Sequence, residues 1–580
     1  MPRGGHVACC PTAMRYLALA CDYDGTMAAD GMVAEETVSA LRFLRSSGRR
    51  LLLVTGRRLD DLKRLFPSLE LFDRVVVENG AVLYRPQARE EETLAEPPSP
   101  LLVDALRAAG VSPLAVGRTI VATFSPHERT VLDTIRELGL ELQVIFNKGA
   151  VMVLPSGTNK ASGLAKALQE LELSAHNVAG IGDAENDHAF LAACECGVAV
   201  ANALPMLKER ADLVTAGDHG AGVVELVGRL MENDLEDVPP ARHLLTVGTR
   251  DDGTPVTLAP YGINVLLAGT SGSGKSTFAT GLLERLRGAG RQFCILDPEG
   301  DYPSLPDAVV LGGPENVPTT EEVLDVLARP EQDAVVSLLG VPLEQRPSSF
   351  ERLLSPIMEM RARTGRPHWI VLDEAHHLLP ASWDKAPGLM PQTPHGLLFI
   401  TVHPNKIAQP ALQTVDVVVA IGHAWGETLR SFAEAAGLAP PPAPEGDLET
   451  GQAALWIVHG GEPPFVFRAD PPKSERKRHV RKYATGELRP DKSFYFRGPE
   501  ARLNLRAQNL QVFLQLAQGV DDETWMHHLR QGDYSKWLRD AIRDEALAEE
   551  VARVERHGGD PAATRQEIQK LVEDRYTAPA

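Results

Sequence analysis

Asp22 and Asp24 stand two residues apart at the end of an apolar run, residues 16–21, and Gly25 follows them. Both carboxylates therefore project from the C-terminal end of an expected strand, where open parallel sheets place their ligands. A carboxylate in that position can attack phosphorus and split phosphoester hydrolysis into two easier steps through an aspartyl-phosphate. A second acid two residues on can protonate the leaving oxygen. A hard cation, by default Mg2+ with carboxylate and water ligands, can neutralise the phosphoryl oxygens. The other groups this chemistry needs occur in order downstream. Thr55, Gly56 and Arg57 end the next apolar run and offer a hydroxyl, amides and a cation to a phosphate. Lys160 opens a helical pattern and can pair with the nucleophile and the phosphoryl oxygens. Asp183, Asn186 and Asp187 follow a further apolar run and offer acidic ligands with an amide beside them.

A second constellation of different design lies at Gly269-Thr270-Ser271-Gly272-Ser273-Gly274-Lys275-Ser276-Thr277. It follows an apolar run and precedes a helical pattern, as a phosphate-cradling loop requires. Its backbone amides and the helix N-terminus would surround the phosphates of a nucleotide, with ATP as the expected substrate. Lys275 would reach the β- and γ-oxygens and Ser276 would ligate a second Mg2+. Trp369-Ile370-Val371-Leu372-Asp373-Glu374 is the complementary strand, with Asp373 near the metal and Glu374 polarising the attacking water.

The elements that must position these groups alternate along the chain. Short β-rich runs at 16–21, 51–54, 75–77, 178–181 and 198–200 are separated by helical patterns, which predicts a parallel sheet with crossover helices. A second such series runs through 264–268, 293–296, 369–372, 397–402, 415–421 and 454–458, with a proline-rich loop at 440–445. The polar stretch 233–240 reads as a linker, and 1–14 as a disordered extension within which Met14 is an alternative start. After Pro472 a charged stretch, 473–482, leads into mostly helix, where apolar residues from Leu503 through Leu547 recur at helical spacing. A small bundle packed on the preceding domain and a partner-docking module are both open readings of that region.

Composition sets outer limits. At 580 residues, with 43% hydrophobic and 24% charged residues, the chain reads as a soluble protein of several domains. The net charge of −19 opposes non-specific adhesion to nucleic acid or anionic membranes. No apolar run reaches the ~18 residues of a membrane span. Six cysteines make no disulfide framework, and Cys194 and Cys196 read as core thiols of a reducing, cytoplasmic compartment.

The first constellation resembles the Cof-like branch of the haloacid dehalogenase superfamily over residues 15–231. The resemblance also takes in Glu78-Asn79-Gly80-Ala81, Pro155-Ser156-Gly157-Thr158-Asn159-Lys160, Ala201-Asn202-Ala203 and Ala211-Asp212. It implies Asp22 as nucleophile, Asp24 as general acid/base, and Thr55 and Lys160 on the phosphate, alongside Gly25, Gly56, Arg57 and Asn186. It implies Mg2+ on Asp22, Asp183 and the Asp24 backbone carbonyl, supported by Asp187. It also implies a Rossmann-like core at 15–83 and 155–232, and an α+β cap at 84–154 compact enough for a small phosphorylated metabolite such as a sugar phosphate or phosphoglycolate.

The second constellation, with Asp297-Pro298-Glu299-Gly300-Asp301, Asp373-Glu374-Ala375-His376-His377 and Thr401-Val402-His403-Pro404-Asn405, resembles the HerA-like additional-strand ATPases over 242–470. That resemblance implies a RecA-like fold, a homo-oligomeric, hexameric ring and DNA translocation. The family places Gln-Arg where this chain has Val402-His403, which implies a γ-phosphate sensor either weakened or moved to Thr401. Arg361, Arg363 and Arg430 are the arginine-finger candidates, and His376 and His377 read as structural. The basic run 474–482 reads as a solvated linker or a nucleic-acid contact. The expected fold is thus α/β, with two doubly wound parallel-sheet domains and a C-terminal helical module at 471–580. The expected function is a Mg2+-dependent phosphatase coupled to an ATP-hydrolysing domain. Two alternatives stand beside it: a nucleotide-binding switch or scaffold that regulates the phosphatase, and a DNA-processing or defence machine with a nucleotide or DNA-end phosphatase.

Overall fold

A computed structural model describes residues 14–270, 272–302, 305–383, 395–442, 446–473, 488, 492–500, 502–542 and 544–576. The expected extension at 1–13 and the basic run 474–482 lie outside the described residues. Among the described residues no helix is long and apolar enough to cross a membrane.

The first sheet has eight strands. They are β1 (Ala18–Cys21), β2 (Arg50–Val54), β3 (Arg74–Val77), β4 (Val82–Arg85), β5 (Glu90–Thr93), β10 (Val178–Gly182), β11 (Cys196–Ala199) and β12 (Leu213–Val214). Their order is β12-β11-β10-β1-β2-β3-β4-β5. The six strands from β12 to β3 are parallel, and β4 and β5 add antiparallel at one edge. Helices cover both faces, so β1 is buried throughout and reads in sequence as an uninterrupted apolar run. The chain leaves β1 toward β2 and later returns to β10 on the other side, so the end of β1 is the switch point of the sheet. The cap is a separate antiparallel sheet of β6 (Ala115–Val116), β7 (Val121–Phe124), β8 (Leu142–Asn147) and β9 (Ala150–Pro155), in the order β6-β7-β9-β8. It begins later than the sequence suggests. Tyr84 belongs to β4 of the core sheet, because a hairpin after β3 extends the hydrogen-bonded edge before the chain departs.

The second sheet has eleven strands, of which the sequence reading anticipates six. They are β13 (Leu245–Thr249), β14 (Pro255–Leu258), β15 (Val265–Gly269), β16 (Phe293–Asp297), β17 (Ala308–Leu311), β18 (Asp333–Ser337), β19 (Trp369–Leu372), β20 (Leu397–Thr401), β21 (Val417–Ile421), β22 (Gln452–Ile457) and β23 (Phe465–Ala469). Seven run parallel in the order β21-β15-β20-β19-β16-β18-β17, and β22, β23, β13 and β14 continue antiparallel beyond β21. The C-terminal module is not all helix: Phe494–Phe496 and Leu505–Ala507 pair as a hairpin. Phe494, Phe513, Trp525, Tyr534 and Trp537 share its apolar core.

The stretch 233–240 is not a free tether. Leu235 is fully buried, Asp234 accepts from Arg49 at 2.9 Å, and Arg242 just beyond pairs with Asp212 at 3.0 Å. The two α/β units meet at a buried carboxylate that the sequence reading passed over. Glu195, between the two core thiols, accepts hydrogen bonds from Arg15 at 2.6 Å, His176 Nδ1 at 2.8 Å and Arg291 at 2.7 Å. Burial opposes its charge, but the His176 hydrogen bond and the charges of Arg291 and Arg15 outweigh that and hold its carboxyl well below the usual range. Arg291 comes from the second unit, and neighbouring contacts reinforce the junction: His368 Nε2 to Ser174 Oγ at 3.0 Å, and Arg366 to the Glu172 carbonyl at 3.1 Å. Glu195→Ala strands buried guanidinium groups, so it should cost about 3–5 kcal/mol. Thermal or denaturant unfolding of the full chain checks this, and an unchanged midpoint would contradict it.

Candidate functional site

Asp22 follows β1 directly, and its carboxylate faces those of Asp183 and Asp187, which follow β10. One oxygen from each lies within 4.8 Å of the others. Lys160 Nζ lies 2.5 Å from both Asp22 Oδ1 and Asp187 Oδ1, and the ammonium is almost fully enclosed. Two local features bring it there. Asn159 caps the helix Lys160–Glu170, accepting from Ser162 N at 3.0 Å. Gly80, at φ +106°, lets that helix start approach, since a Cβ there would lie 1.8 Å from the Asn159 carbonyl oxygen. Asp187 Oδ2 accepts from the backbone of Asp183 and Ala184 at 2.8 and 2.9 Å, and Thr26 Oγ1 donates to Asp183 Oδ1 at 3.0 Å. Gly25, at φ +80°, has no room for a side chain against Asp183.

Above these groups a cleft of about 660 Å³ opens between core and cap. Asp22, Asp24, Gly25, Thr55, Gly56 and Arg57 line its core side. Asp24 turns away from the carboxylate trio and is held by Arg57 through two contacts, at 2.5 and 2.6 Å. Asn186 does not line the cleft as expected of a phosphate ligand. Its amide donates to Asn79 Oδ1 at 3.1 Å, drawn there by the tight turn at Glu78-Asn79-Gly80.

Two residues that sequence reasoning did not assign are part of this arrangement. The buried Glu78 carboxylate accepts from the backbone of Arg118, Thr119 and Ile120 at 2.9–3.2 Å and so pins the cap to the core. Lys148 occupies the two-residue turn between β8 and β9, with Gly149, both at positive φ, and its ammonium pairs with Asp183. An Asn-Lys-Gly turn between two β-rich runs is the only sequence signal for it.

A sequence profile for haloacid dehalogenase-like hydrolases matches residues 19–108 and 128–227. A phosphoglycolate phosphatase of Methanothermobacter thermautotrophicus is 33% identical over 221 residues, which span 37% of this chain and 98% of that protein. The chain belongs to the haloacid dehalogenase-like hydrolases. Phosphoglycolate phosphatase 2 of Saccharolobus solfataricus is 29% identical over 222 residues, 37% of this chain and 93% of its own length. A 5-amino-6-(5-phospho-D-ribitylamino)uracil phosphatase of Bacillus subtilis is 26% identical over 234 residues, 36% of this chain and 93% of its own. The haloacid dehalogenase-like part, through residue 227, is a phosphatase domain of the Cof-like branch.

The electrostatics of this haloacid dehalogenase-like site fit a hard divalent cation. Burial pushes the Asp22 carboxyl well above its usual range, and repulsion from Asp187 adds to that. Burial and Asp187 likewise raise Asp183. Burial disfavours the charge of Lys160, but Asp187 and Asp22 outweigh it and keep the ammonium protonated. Three clustered carboxylates, two of them on the buried Lys160 ammonium and the third paired with Lys148, form an all-oxygen donor set with surplus negative charge, which suits Mg2+. Asp22 and Asp183 would hold the ion, with Asp187 and Lys160 fixing them.

The second constellation is built on the other sheet. β15 runs straight into the loop, Gly274 adopts φ +102°, and the helix Lys275–Gly288 follows. Lys275 Nζ folds back onto the Gly269 and Thr270 carbonyls, each at 2.9 Å. Ser271 lies outside the described residues; Gly272 and Ser273 lie in the turn before the helix, and Ser276 and Thr277 in its first turn. Asp373 and Glu374 follow β19, and β20 lies between β19 and β15. At the end of β20, the buried Thr401 hydroxyl lies 3.0 Å from His376 Nδ1 and accepts from His403 N at 3.0 Å. Burial, with His377 and His403 adding to it, pushes His376 down to about 4, consistent with a neutral packing role. Arg361 does not qualify as a finger: it is an internal strut donating to the carbonyls of Pro367 and His395 at 2.7 and 2.6 Å. Arg363 and Arg430 are exposed.

Because Asp22 and Asp183 bind protons more tightly than ordinary carboxylates, Mg2+ binding should release protons. Its apparent affinity should rise with pH from the acid side and level off once both groups ionise. Titration calorimetry in buffers of different ionisation enthalpy checks this, and a pH-independent affinity with no buffer effect would contradict it.

Proposed function

We propose that this chain is a bifunctional hydrolase whose N-terminal domain cleaves small, anionic phosphomonoesters through an aspartyl-phosphate on Asp22. The observation that carries the reading is the enclosed group of Asp22, Asp183, Asp187 and Lys160, of which Asp22 faces a cap-covered cleft and the others stand behind it. Phosphoglycolate is the favoured substrate, since relatives of that printed activity match along nearly their full length. The cleft size and Lys148 at its cap side suit a short anionic ester.

In this reading an Asp22 carboxylate oxygen attacks phosphorus while Asp24, protonated, delivers its proton to the departing ester oxygen. Asp24 then takes a proton from the water that attacks phosphorus, which breaks the acyl-phosphate bond and restores Asp22. The bidentate Arg57–Asp24 pair must open for this, and an arriving phosphate draws the guanidinium off the carboxyl. Thr55 and Lys160 hold phosphoryl oxygens. Mg2+, when bound, neutralises charge on the phosphoryl group.

The second domain, in the same proposal, binds and hydrolyses ATP. Supporting this are the Lys275 loop at the head of its helix, the acidic pair after β19, and the strand inserted between them. Lys275 and Ser276 contact the phosphates and metal, and Glu374 orients water. The ring assembly implied by the HerA-like resemblance belongs to this proposal. Asp22→Asn should lower phosphate release from phosphoglycolate by about a thousandfold or more while ATP turnover persists, and Lys275→Ala should do the reverse. Loss of both activities from either change in a folded protein would sink the reading.

A switch role is favoured by one observation. The helix that starts at Lys275 ends against the phosphatase domain, where the Ala289 carbonyl meets His176 Nε2 at 2.8 Å and Arg291 meets Glu195. His176 sits just before β10, the strand that leads to Asp183. A non-hydrolysable ATP analogue should therefore change phosphatase kcat or KM in the wild type and not in Lys275→Ala. Identical kinetics with and without the analogue would count against coupling.

A further inference from the structure

The C-terminal module has a core of its own, and neither site described above explains where it sits. Its segments around Arg539 and Arg575 face a cavity of about 1510 Å³. The opposite wall is Gly272, Gly274 and Thr277 of the phosphate-binding loop and its helix, with Gly422 and Gln452 from the flank of the sheet beyond β15. Asp373, Glu374, Thr401 and His403 do not line it. Strand order explains the division: β21 and the antiparallel strands lie on one side of β15, while β20 and β19 lie on the other. A nucleoside triphosphate whose terminal phosphate faces Asp373 and Glu374 must direct its nucleoside toward β21, into this cavity. Ligand pockets for molecules of drug size span about 300–1,000 Å³, so there is room for a base, a ribose and solvent.

Arg575 is held at the rim rather than buried. Its Nε lies 2.8 Å from Asp544 Oδ2, which also accepts from Tyr576 Oη at 2.9 Å, so Asp544 splints the end of the last helix. Arg539 and Arg575 are both exposed, and both line the same space as the loop. A guanidinium plane stacks well on a nucleobase and hydrogen-bonds ribose hydroxyls, which a lysine at the same place would do poorly.

We propose that the C-terminal module forms the second wall of the nucleoside pocket, in cis, with Arg539 and Arg575 engaging the base and ribose of a nucleoside triphosphate bound at Lys275. This rests on the nucleotide reading of the loop. The module thereby gives the site a preference for nucleotides over bare polyphosphates.

The test uses calorimetry on the full chain with two probes, a non-hydrolysable ATP analogue and inorganic tripolyphosphate. The double variant Arg539→Gln/Arg575→Gln should weaken the ATP analogue by about tenfold and leave tripolyphosphate unchanged. Because Arg575 pairs with Asp544, Arg539→Gln alone should show a smaller loss for the analogue in the same direction, with tripolyphosphate again unchanged. Unaltered affinity for the analogue in the double variant, or an equal loss for both probes, overturns the inference while the loop reading stands. Lys275→Ala must weaken both probes in the parent protein; if it weakens neither, or if the parent binds neither, the nucleotide reading fails and the inference with it.

Discussion

Three carboxylates cannot share a buried corner of a sheet without an internal cation, and here that cation is Lys160. Two unit charges about 4 Å apart interact by about 4 kcal/mol at an effective dielectric of about 20, so the arrangement is held only by what surrounds it. Lys160 spans Asp22 and Asp187, Asp187 is fixed by the backbone of its own turn, and Asp183 is held by Thr26 from one side and Lys148 from the other. The fold serves that geometry. Asp22 and Asp183 end neighbouring parallel strands, and the glycine at position 80 admits the helix that delivers the lysine. What results is a site that holds more negative charge than its own side chains neutralise, which favours binding of a divalent cation.

The two halves use the same rule of open parallel sheets in different ways. In the first, side chains at the strand ends are the chemistry, and the cap closes over them through the Glu78 contacts. In the second, a glycine-rich loop joins β15 to a helix, and Asp373 and Glu374 stand one strand away across β20. The buried Glu195 node fixes the halves against each other, with Arg291 placed just past the helix that begins at Lys275. A charge cluster of this kind adds little net stability compared with apolar packing but penalises any other docking of the two units.

Much of the chemistry was legible in sequence because its carriers sit at the ends of apolar runs, where strand, turn and helix follow from local pattern. Local pattern placed Asp22, Lys160 and Asp183, which the structure brings together, and Thr55, which lines the cleft beside them. What local pattern could not supply were pairings across long chain separations. Lys160 meets Asp22 across 138 positions and Arg291 meets Glu195 across 96, and only the first had a motif to flag it. Cys194 and Cys196 read as core thiols with nothing assigned to Glu195 between them, and Lys148 drew no reading. The strands that extend each sheet antiparallel were missed for a related reason: β4, β5, β13 and β14 take their place by hydrogen bonding to a sheet that already exists. The late start of the cap and the packed state of 233–240 follow from the same cause, since both depend on what the segment lies against.

The central claim is that Asp22 itself carries the phosphoryl group. The direct measurement is an acid quench during steady-state turnover of substrate labelled in its phosphoryl group, followed by peptide mapping. Label on the peptide that contains Asp22, stable to acid and released by hydroxylamine, is the result this account predicts. Undiminished turnover with no label on that peptide, or with label on another residue, would contradict it.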